Sequence, residues 1–298
     1  MGRGVQGRSW RVATVMAATL FVVGPAQASS ITDIVFSNVD APTGDLVSSN
    51  MPIGTSGWFY TRMQDGGEIG INPTFPWPEG GGNASVFMRT PGGNGGGGGT
   101  DARAFIGFIS ETPIATLGDL EEMRYAWYRD SASMAETWLQ PDLRVLVGVS
   151  VMGVTLPAAL VYELAYDDCT PGAVGVIAAT DTWVEKTVDA TTCLYSAGAL
   201  PEDPLGKGAF NTTLADWQAF LPETTPVFGF SSQVGTGWSF FEGAVDGIGW
   251  TFSGQDPVRT DFEMRTAVDP IPLPAAGWLL LGGLGVFGAM AARRRRAA

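Results

Sequence analysis

The side chains that could perform chemistry in this sequence are carboxylates, because histidine is absent from all 298 residues and only two cysteines occur. The absence of histidine excludes Ser-His-Asp and Cys-His catalysis and zinc sites built on imidazole. A pair of carboxylates could instead hydrolyse a glycosidic bond. The candidates by residue type are Glu121, Glu122, Asp130, Glu136, Asp167, Asp168, Glu242 and Asp246. Their spacing defines no pair, so the sequence predicts no catalytic residue.

Tryptophan is the second residue type with a chemical use, since its flat ring offers an apolar face on which a sugar ring stacks. Trp127 and Trp250 lie within apolar runs and are predicted to be buried. Trp77, between two prolines, and Trp238, next to a glycine, are predicted to be exposed and to contact a glycan. For any single tryptophan, a place in the core is the competing interpretation.

Calcium is the one metal for which the sequence offers ligands, because proteins bind it through carboxylate and carbonyl oxygens. The candidate ligands are Asp167 and Asp168, beside Cys169, and Asp246. They form no spaced calcium-loop motif, so an acidic loop exposed to water is the competing interpretation. No other cofactor is expected.

The N-terminal residues predict export. Arg3, Arg8 and Arg11 precede an apolar run over residues 12–23, and Ala26 and Ala28 form an A-x-A cleavage site. This pattern is typical of a secretory signal peptide, here residues 1–28. The apolar run is too short for a spanning helix, which needs about 20 residues.

The C-terminal residues predict a membrane anchor. Residues 275–292 are apolar and, at about 1.5 Å per residue, form a transmembrane helix of roughly 27 Å. The four residues Arg293, Arg294, Arg295 and Arg296 stop it and form a cytoplasmic tail over residues 293–298. Before any processing, the body of the protein therefore lies across the inner membrane from this tail.

The end of the chain also resembles a sorting tail. Ile271, Pro272, Leu273, Pro274 and Ala275 are followed by the apolar helix and the arginines. This order is similar to the PEP-CTERM class of Gram-negative bacteria, and to its VPLPA-CTERM variant with Ile in place of Val. The resemblance implies an exosortase-type membrane protease as a partner, and a final location at the cell surface or in the extracellular matrix. Residues 266–274 are expected to form an extended, protease-sensitive linker.

The region between the two targeting ends is strongly acidic. The whole chain has 17 basic and 30 acidic residues; removing the three arginines of one end and the four of the other leaves ten basic residues, a net charge of −20. Such a surface repels nucleic acid, which is therefore not an expected partner. Solvation of a surface protein and the collection of divalent cations are both consistent with this charge.

Cys169 and Cys193 are predicted to form a disulfide, because both lie in the exported region and oxidising compartments favour the bond. The chain-entropy model gives it about 3 kcal/mol of stabilisation. A reactive thiol pair or a metal site is the alternative, weakened by the absence of histidine.

Short apolar or alternating runs between turn residues predict an all-β fold, a jelly-roll-type β-sandwich ectodomain over residues 29–265. Strands are predicted at residues 31–36, 57–63, 85–90, 103–109, 122–129, 143–149, 159–165, 182–188, 227–233, 243–252 and 261–265. One short helix is predicted after Thr212 or Thr213, ending before Pro222. Its apolar face consists of Leu214, Trp217, Phe220 and Leu221.

The last predicted hairpin carries a second resemblance. Its residues Phe241, Gly243, Val245, Asp246 and Ile248 are similar to a short sequence motif found in lectin-like and carbohydrate-binding-module jelly rolls. The sequence therefore predicts a non-catalytic surface protein associated with exopolysaccharide. A glycan-cleaving hydrolase and a purely structural surface protein are the two alternatives.

Overall fold

The computed structural model describes residues 33–37, 41–42, 45–46, 50–78, 82–92, 102–167, 169, 176–235 and 239–264. The signal peptide, linker, sorting motif, transmembrane helix and arginine tail, predicted at residues 1–28 and 266–298, lie outside these ranges, as do Asp168 and Trp238. Within the described ranges, no helix combines the length and apolarity needed to cross a membrane.

Two β-sheets make up most of the described chain. The first sheet has seven strands: β1 (Asp33–Ser37), β4 (Glu68–Asn72), β5 (Ser85–Arg89), β8 (Leu120–Arg129), β11 (Trp183–Val188), β14 (Glu242–Phe252) and β15 (Val258–Met264). The second has eight: β2 (Asn50–Pro52), β3 (Trp58–Gln64), β6 (Arg103–Ile109), β7 (Ala115–Thr116), β9 (Asp142–Val151), β10 (Val154–Tyr162), β12 (Tyr195–Gly198) and β13 (Pro226–Val234).

A long strand lies at the centre of each sheet. In the seven-stranded sheet, β14 pairs with β8 along one edge and with β5 and β15 along the other. In the eight-stranded sheet, β13 lies between β9 and β6, giving the order β12-β10-β9-β13-β6-β3-β2. The pairings are antiparallel except that β1 runs parallel to β15.

The core lies between the sheets and is rich in aromatic rings. Trp58 of β3 meets Phe262 of β15 edge to face, with centroids 4.9 Å apart. Phe230 of β13 stacks on Trp250 of β14 at 4.4 Å. Trp250 is 7% exposed and Trp127 is 2% exposed, so their predicted burial is confirmed. Because such rings come from both sheets, the fold is a β-sandwich.

The predicted helix and disulfide are both present. Helix α1 (Leu214–Phe220) begins after Thr213, whose Oγ1 accepts a hydrogen bond from the Asp216 amide in a capping box. Buried Trp217 donates from Nε1 to the Leu194 carbonyl oxygen at 2.9 Å. The Cys169–Cys193 bond joins Cα atoms 5.3 Å apart. It ties the segment after a 3-10 turn at Leu164–Tyr166 to the connection between β11 and β12, where Cys193 forms a β-bridge with the helix cap Thr213.

The observed strands differ from the predicted ones where polar or proline residues interrupt the pattern. Strand β10 begins at Val154, five residues before the predicted start at residue 159, and contains Pro157. Proline is tolerated there because β12 pairs with β10 only from Ala158 onward, leaving the first half of β10 at an edge. The short strands β2, β4, β7 and β12 were not predicted.

Candidate functional site

A cavity of about 670 Å³ opens on the outer face of the eight-stranded sheet. Side chains of β3, β6, β9, β10, β12 and β13 line it, together with residues that flank these strands. Its volume is in the range of sites that bind small molecules or parts of larger ones. It is therefore the candidate functional site.

Strand alternation determines which side chains reach this cavity. In β6, Ala104 and Ile106 belong to the core, whereas Phe105 between them lines the cavity. In β9, Val145 is a core residue and its neighbour Arg144 lines the cavity. Strands β6 and β9 thus direct alternate side chains into the core and into the cavity.

Phe105 lies between two arginines. The Cζ atom of Arg62 is 5.6 Å from the centroid of its ring, and the Cζ atom of Arg144 is 5.4 Å away. These distances allow cation–π attraction from both guanidinium groups. Arg62 occupies this position because the β3–β6 pairing is irregular between Thr61 and Gln64, where Arg62 adopts a φ of 49°.

Arg144 is held in place by a buried carboxylate. Its Nε and Nη2 atoms donate to Oδ2 of Asp142 at 2.9 and 2.6 Å. The other oxygen, Oδ1, accepts from the Gln233 amide at 3.1 Å. Burial raises the pKa of Asp142 to about 7, in opposition to Arg144, which favours the ionised form. Asp142 itself does not line the cavity and therefore serves to position Arg144.

Glu163 and Tyr195 complete this polar group. The Tyr195 hydroxyl donates to Oε1 of Glu163 at 2.5 Å. Burial raises the pKa of Glu163, with Tyr195 and Arg144 opposing it. Burial disfavours the charge of Arg144, but Asp142 and Tyr195 outweigh burial and raise its pKa. Arg144 consequently remains a cation of fixed direction.

Arg62 differs from Arg144 in having no counter-ion. Among the described residues, no carboxylate forms an ion pair with it, and its side chain is exposed. Close to it, Thr61 donates from Oγ1 to Oδ1 of Asn50 at 2.5 Å. The cavity thus combines two cations, several hydrogen-bonding groups and the apolar surface of Phe105 and Phe228.

The prediction that Trp77 is exposed is wrong, because its side chain is only 1% exposed. It lies over the outer face of the seven-stranded sheet, with the Cζ atom of Arg259 4.6 Å from its ring centroid and the Trp183 ring 6.5 Å away. A Cβ atom on Gly247 would come within 2.8 Å of the Trp77 ring. The flanking prolines indicated a surface turn correctly, but this turn folds back onto the sheet.

Half-buried aromatic rings surround Trp77. Phe75 stacks on Tyr128 with centroids 4.5 Å apart, and Tyr128 lies 5.8 Å from Trp183. Trp183 also donates from Nε1 to the Pro76 carbonyl oxygen at 3.1 Å. These rings cover one another's faces, so the cluster binds the Phe75–Trp77 segment to the sheet instead of offering a flat stacking surface.

The two described calcium candidates lie in different surroundings. Asp246 is fully buried in β14, where Oδ1 accepts from the amides of Gly247 at 2.7 Å and Phe262 at 3.1 Å. Burial and then the nearby Asp261 raise its pKa well above the usual value. Asp167 forms an ion pair with Lys186 at 2.6 Å. In the described ranges, no three acidic or thiol groups are arranged to hold a metal ion, so the calcium site stays a prediction.

Of the eight candidate carboxylates, Asp168 lies outside the described residues, and none of the other seven lines the cavity. Glu122 forms an ion pair with Arg124, and Glu242 lies 3.8 Å from Arg89. The sequence interpretation missed Arg62, Phe105 and Arg144 as site residues. The sequence did contain a signal for these arginines. An arginine inside an apolar strand of an acidic chain is unusual, because a buried charge needs a partner or has a function.

Comparison with known proteins gives distant likenesses only. No family of proteins and no curated protein matches this sequence. An exo-β-agarase structure is 7% identical with a TM-score of 0.30, covering 72% of this chain and 25% of the agarase. A carbohydrate-binding module specific for non-crystalline cellulose, CBM28, is 8% identical with a TM-score of 0.30, covering 76% of this chain and 97% of the module. At this similarity neither structure identifies a ligand or a site residue for this chain.

Proposed function

We propose that this chain is an exported surface protein whose β-sandwich binds extracellular polysaccharide without cleaving it. Export by residues 1–28, passage through the inner membrane and sorting by an exosortase-type protease acting at residues 271–296 belong to the proposal. So does the jelly-roll type of sandwich, which is supported by the way the chain passes repeatedly between the sheets, for example from β7 to β8 and on to β9.

The open cavity on the eight-stranded sheet is the observation that carries the binding function. Asn50, Thr61 and Arg62 offer hydrogen-bonding groups beside the apolar rings of Phe105 and Phe228. A sugar ring presents hydroxyl groups around an apolar C–H face, so a site that combines both kinds of group is suited to it. The cavity is open to solvent along the sheet, which suits a segment of a polymer.

The carboxylates near the cavity support binding over cleavage. A glycosidase needs two carboxyl groups that face the substrate, separated by about 5 to 10 Å. The oxygens of Asp142 and Glu163, the carboxylates that act on Arg144, accept hydrogen bonds from Arg144, Gln233 and Tyr195. Neither lines the cavity.

Binding is tested with the full-length protein in a detergent that has no sugar head group. Affinity is measured by calorimetry for polysaccharide extracted from the matrix of the producing cells, and the mixture is then examined for new reducing ends. We expect binding with no increase in reducing ends. Binding with cleavage would identify the protein as a hydrolase, and the absence of binding would leave the structural role.

Sorting is tested by cell fractionation of the full chain and of a chain that lacks residues 271–298. We expect the truncated chain to leave the envelope fraction. Truncated protein that remains in the envelope would contradict anchoring by the tail. Mature protein that still carries Arg293 to Arg296 would contradict processing by the protease.

A further inference from the structure

We infer that the cavity on the eight-stranded sheet takes an acidic polysaccharide, one that carries carboxylate or sulfate groups. This inference rests on the proposed function and makes its ligand class specific. It is drawn from the charges and distances of Arg62, Phe105 and Arg144 and from the exposure of Arg62.

The charge of the cavity is opposite to that of the protein. The chain carries a net charge of −13, yet the charged side chains that line the cavity are Arg62 and Arg144, with no aspartate or glutamate among the lining residues. Charges separated by more than about 8 Å are largely screened at physiological ionic strength. An anion beside Arg62 therefore interacts mainly with Arg62 and with the Arg144–Asp142 ion pair, and the distant acidic groups of the surface are largely screened.

The two arginines have different roles toward such an anion. Asp142 neutralises Arg144 and fixes its direction through two hydrogen bonds to Oδ2. Arg62 has no ion-pair partner among the described residues, so its guanidinium donors remain for a ligand. A guanidinium group binds the two oxygens of a carboxylate or sulfate in a fork geometry. Arg62 is thus the ligand contact, whereas Arg144, whose charge Asp142 offsets, packs on the Phe105 ring.

The size and apolar lining of the cavity favour a polymer over a single inorganic ion. A volume of about 670 Å³ is far larger than one carboxylate or sulfate group needs. Phe105, Phe228, Ile109, Leu156 and Pro157 add apolar surface beside the arginines. Such surface suits the C–H face of a sugar ring next to its acidic substituent.

A nucleic acid is also an anionic polymer, but the observations favour a sugar polymer. Proteins that bind nucleic acid neutralise many phosphates with an extended basic surface. Here only two arginines line the cavity, and acidic residues outnumber basic ones by 30 to 17 in the chain. Single-stranded DNA is consequently included in the test as a competitor class.

The experiment uses the full-length protein in EDTA-containing buffer, with affinities measured by calorimetry. Two matched pairs of probes separate charge from sugar: polygalacturonate with its fully methyl-esterified form, and dextran sulfate with dextran. We expect at least one acidic polymer to bind about tenfold more tightly than its neutral partner, which corresponds to about 1.4 kcal/mol, and binding to weaken as salt is added.

Arg62→Gln is the diagnostic variant, because it removes a charge that has no ion-pair partner among the described residues and contacts only the Phe105 ring there. It should weaken binding of the acidic polymer about tenfold and leave the neutral polymer unaffected. The matched control is Arg89→Gln, which removes an arginine half exposed on the opposite sheet. This control should retain full affinity, and thermal unfolding should show that both variants fold.

Four results would overturn the inference. Equal affinities for acidic and neutral polymers would do so while leaving the proposed polysaccharide function intact. Equal losses of affinity in the Arg62 and Arg89 variants would mean that the effect comes from the overall charge of the protein. Tighter binding of single-stranded DNA than of any sugar polymer, or no binding of any probe, would overturn both the inference and the proposed function.

Discussion

The two outer faces of the sandwich use similar side chains for different ends. On the seven-stranded sheet, the guanidinium group of Arg259 packs on the Trp77 ring, and both residues are almost fully buried. On the eight-stranded sheet, Arg62 and Phe105 lie beside an open cavity. An aromatic ring beside an arginine is therefore not enough to define a binding site. A binding site also needs open space and a charge that has no ion-pair partner.

The physical origin of the difference is what covers each face. The connection between β4 and β5 crosses the seven-stranded sheet and brings Trp77 onto Gly247. On the other face, Phe228 and Thr155 pack directly against Gly148, where a Cβ atom would lie 2.7 Å from each. Each face therefore has its own sensitivity to substitution.

The largest expected effect is on the covered face. Trp77→Ala removes a buried ring that packs against Arg259, Trp183 and Gly247, and should lower the free energy of unfolding by about 3–5 kcal/mol. Denaturant unfolding measures it. Glycan affinity of the folded fraction should be unchanged, and a binding loss without a stability loss would contradict the contrast between the faces.

Next in size is the buried ion pair beneath the open face. Arg144→Met leaves Asp142 buried without its counter-ion and should cost about 3 kcal/mol of stability. The double variant with Asp142→Asn should recover most of this loss, since no unpaired charge remains. Denaturant unfolding of the single and double variants checks it. If Arg144→Met alone were as stable as the wild type, Asp142 would not depend on Arg144.

The pH dependence of stability should come from both faces. Burial raises the pKa of Asp142 to about 7, with Arg144 opposing and Glu163 adding to the shift, and raises the pKa of Asp246 as well. The folded state thus keeps protons on these two groups that the unfolded state releases near pH 4, so their contribution to stability is fully present below pH 4 and is lost as the pH rises to about 7 and beyond. The part due to Asp142 is on the order of 2 kcal/mol or more, since each pKa unit corresponds to about 1.4 kcal/mol.

Unfolding of the wild type and of Asp142→Asn between pH 4 and pH 7 measures this dependence. The variant should show a shallower decline, with the remainder due to the acids of the covered face. Identical slopes would mean that Asp142 carries no raised pKa. A rise in stability over this interval would contradict the burial of both carboxylates.

The smallest expected effect concerns the half-buried aromatic cluster. Trp183→Ala should lower stability by roughly 1–2 kcal/mol, because its ring is only partly buried and contributes edge contacts to Trp77 and Tyr128. Thermal unfolding measures the shift. Acidic-polymer affinity should remain unchanged, and a tenfold loss of affinity would move the glycan site to the covered face.

The sequence by itself determined the class of fold. Apolar alternation between turn residues predicted most strands, and the Thr213 cap with Leu214 and Trp217 predicted the helix, because these signals act over a few residues. Two cysteines predicted the disulfide, since no other pairing exists. The short strands β4 and β12 were missed because each contains a glycine, Gly70 and Gly198, which leaves too short an apolar run to differ from a loop.

Only the tertiary structure decided which residues form the site. Arg62 and Arg144 are 82 positions apart and meet at Phe105 because β3, β6, β13 and β9 lie side by side, a register that no local pattern encodes. The same applies to Trp77, whose prolines correctly predicted a turn but not what that turn covers. Local sequence determines a strand's two faces, and long-range packing determines which face meets water.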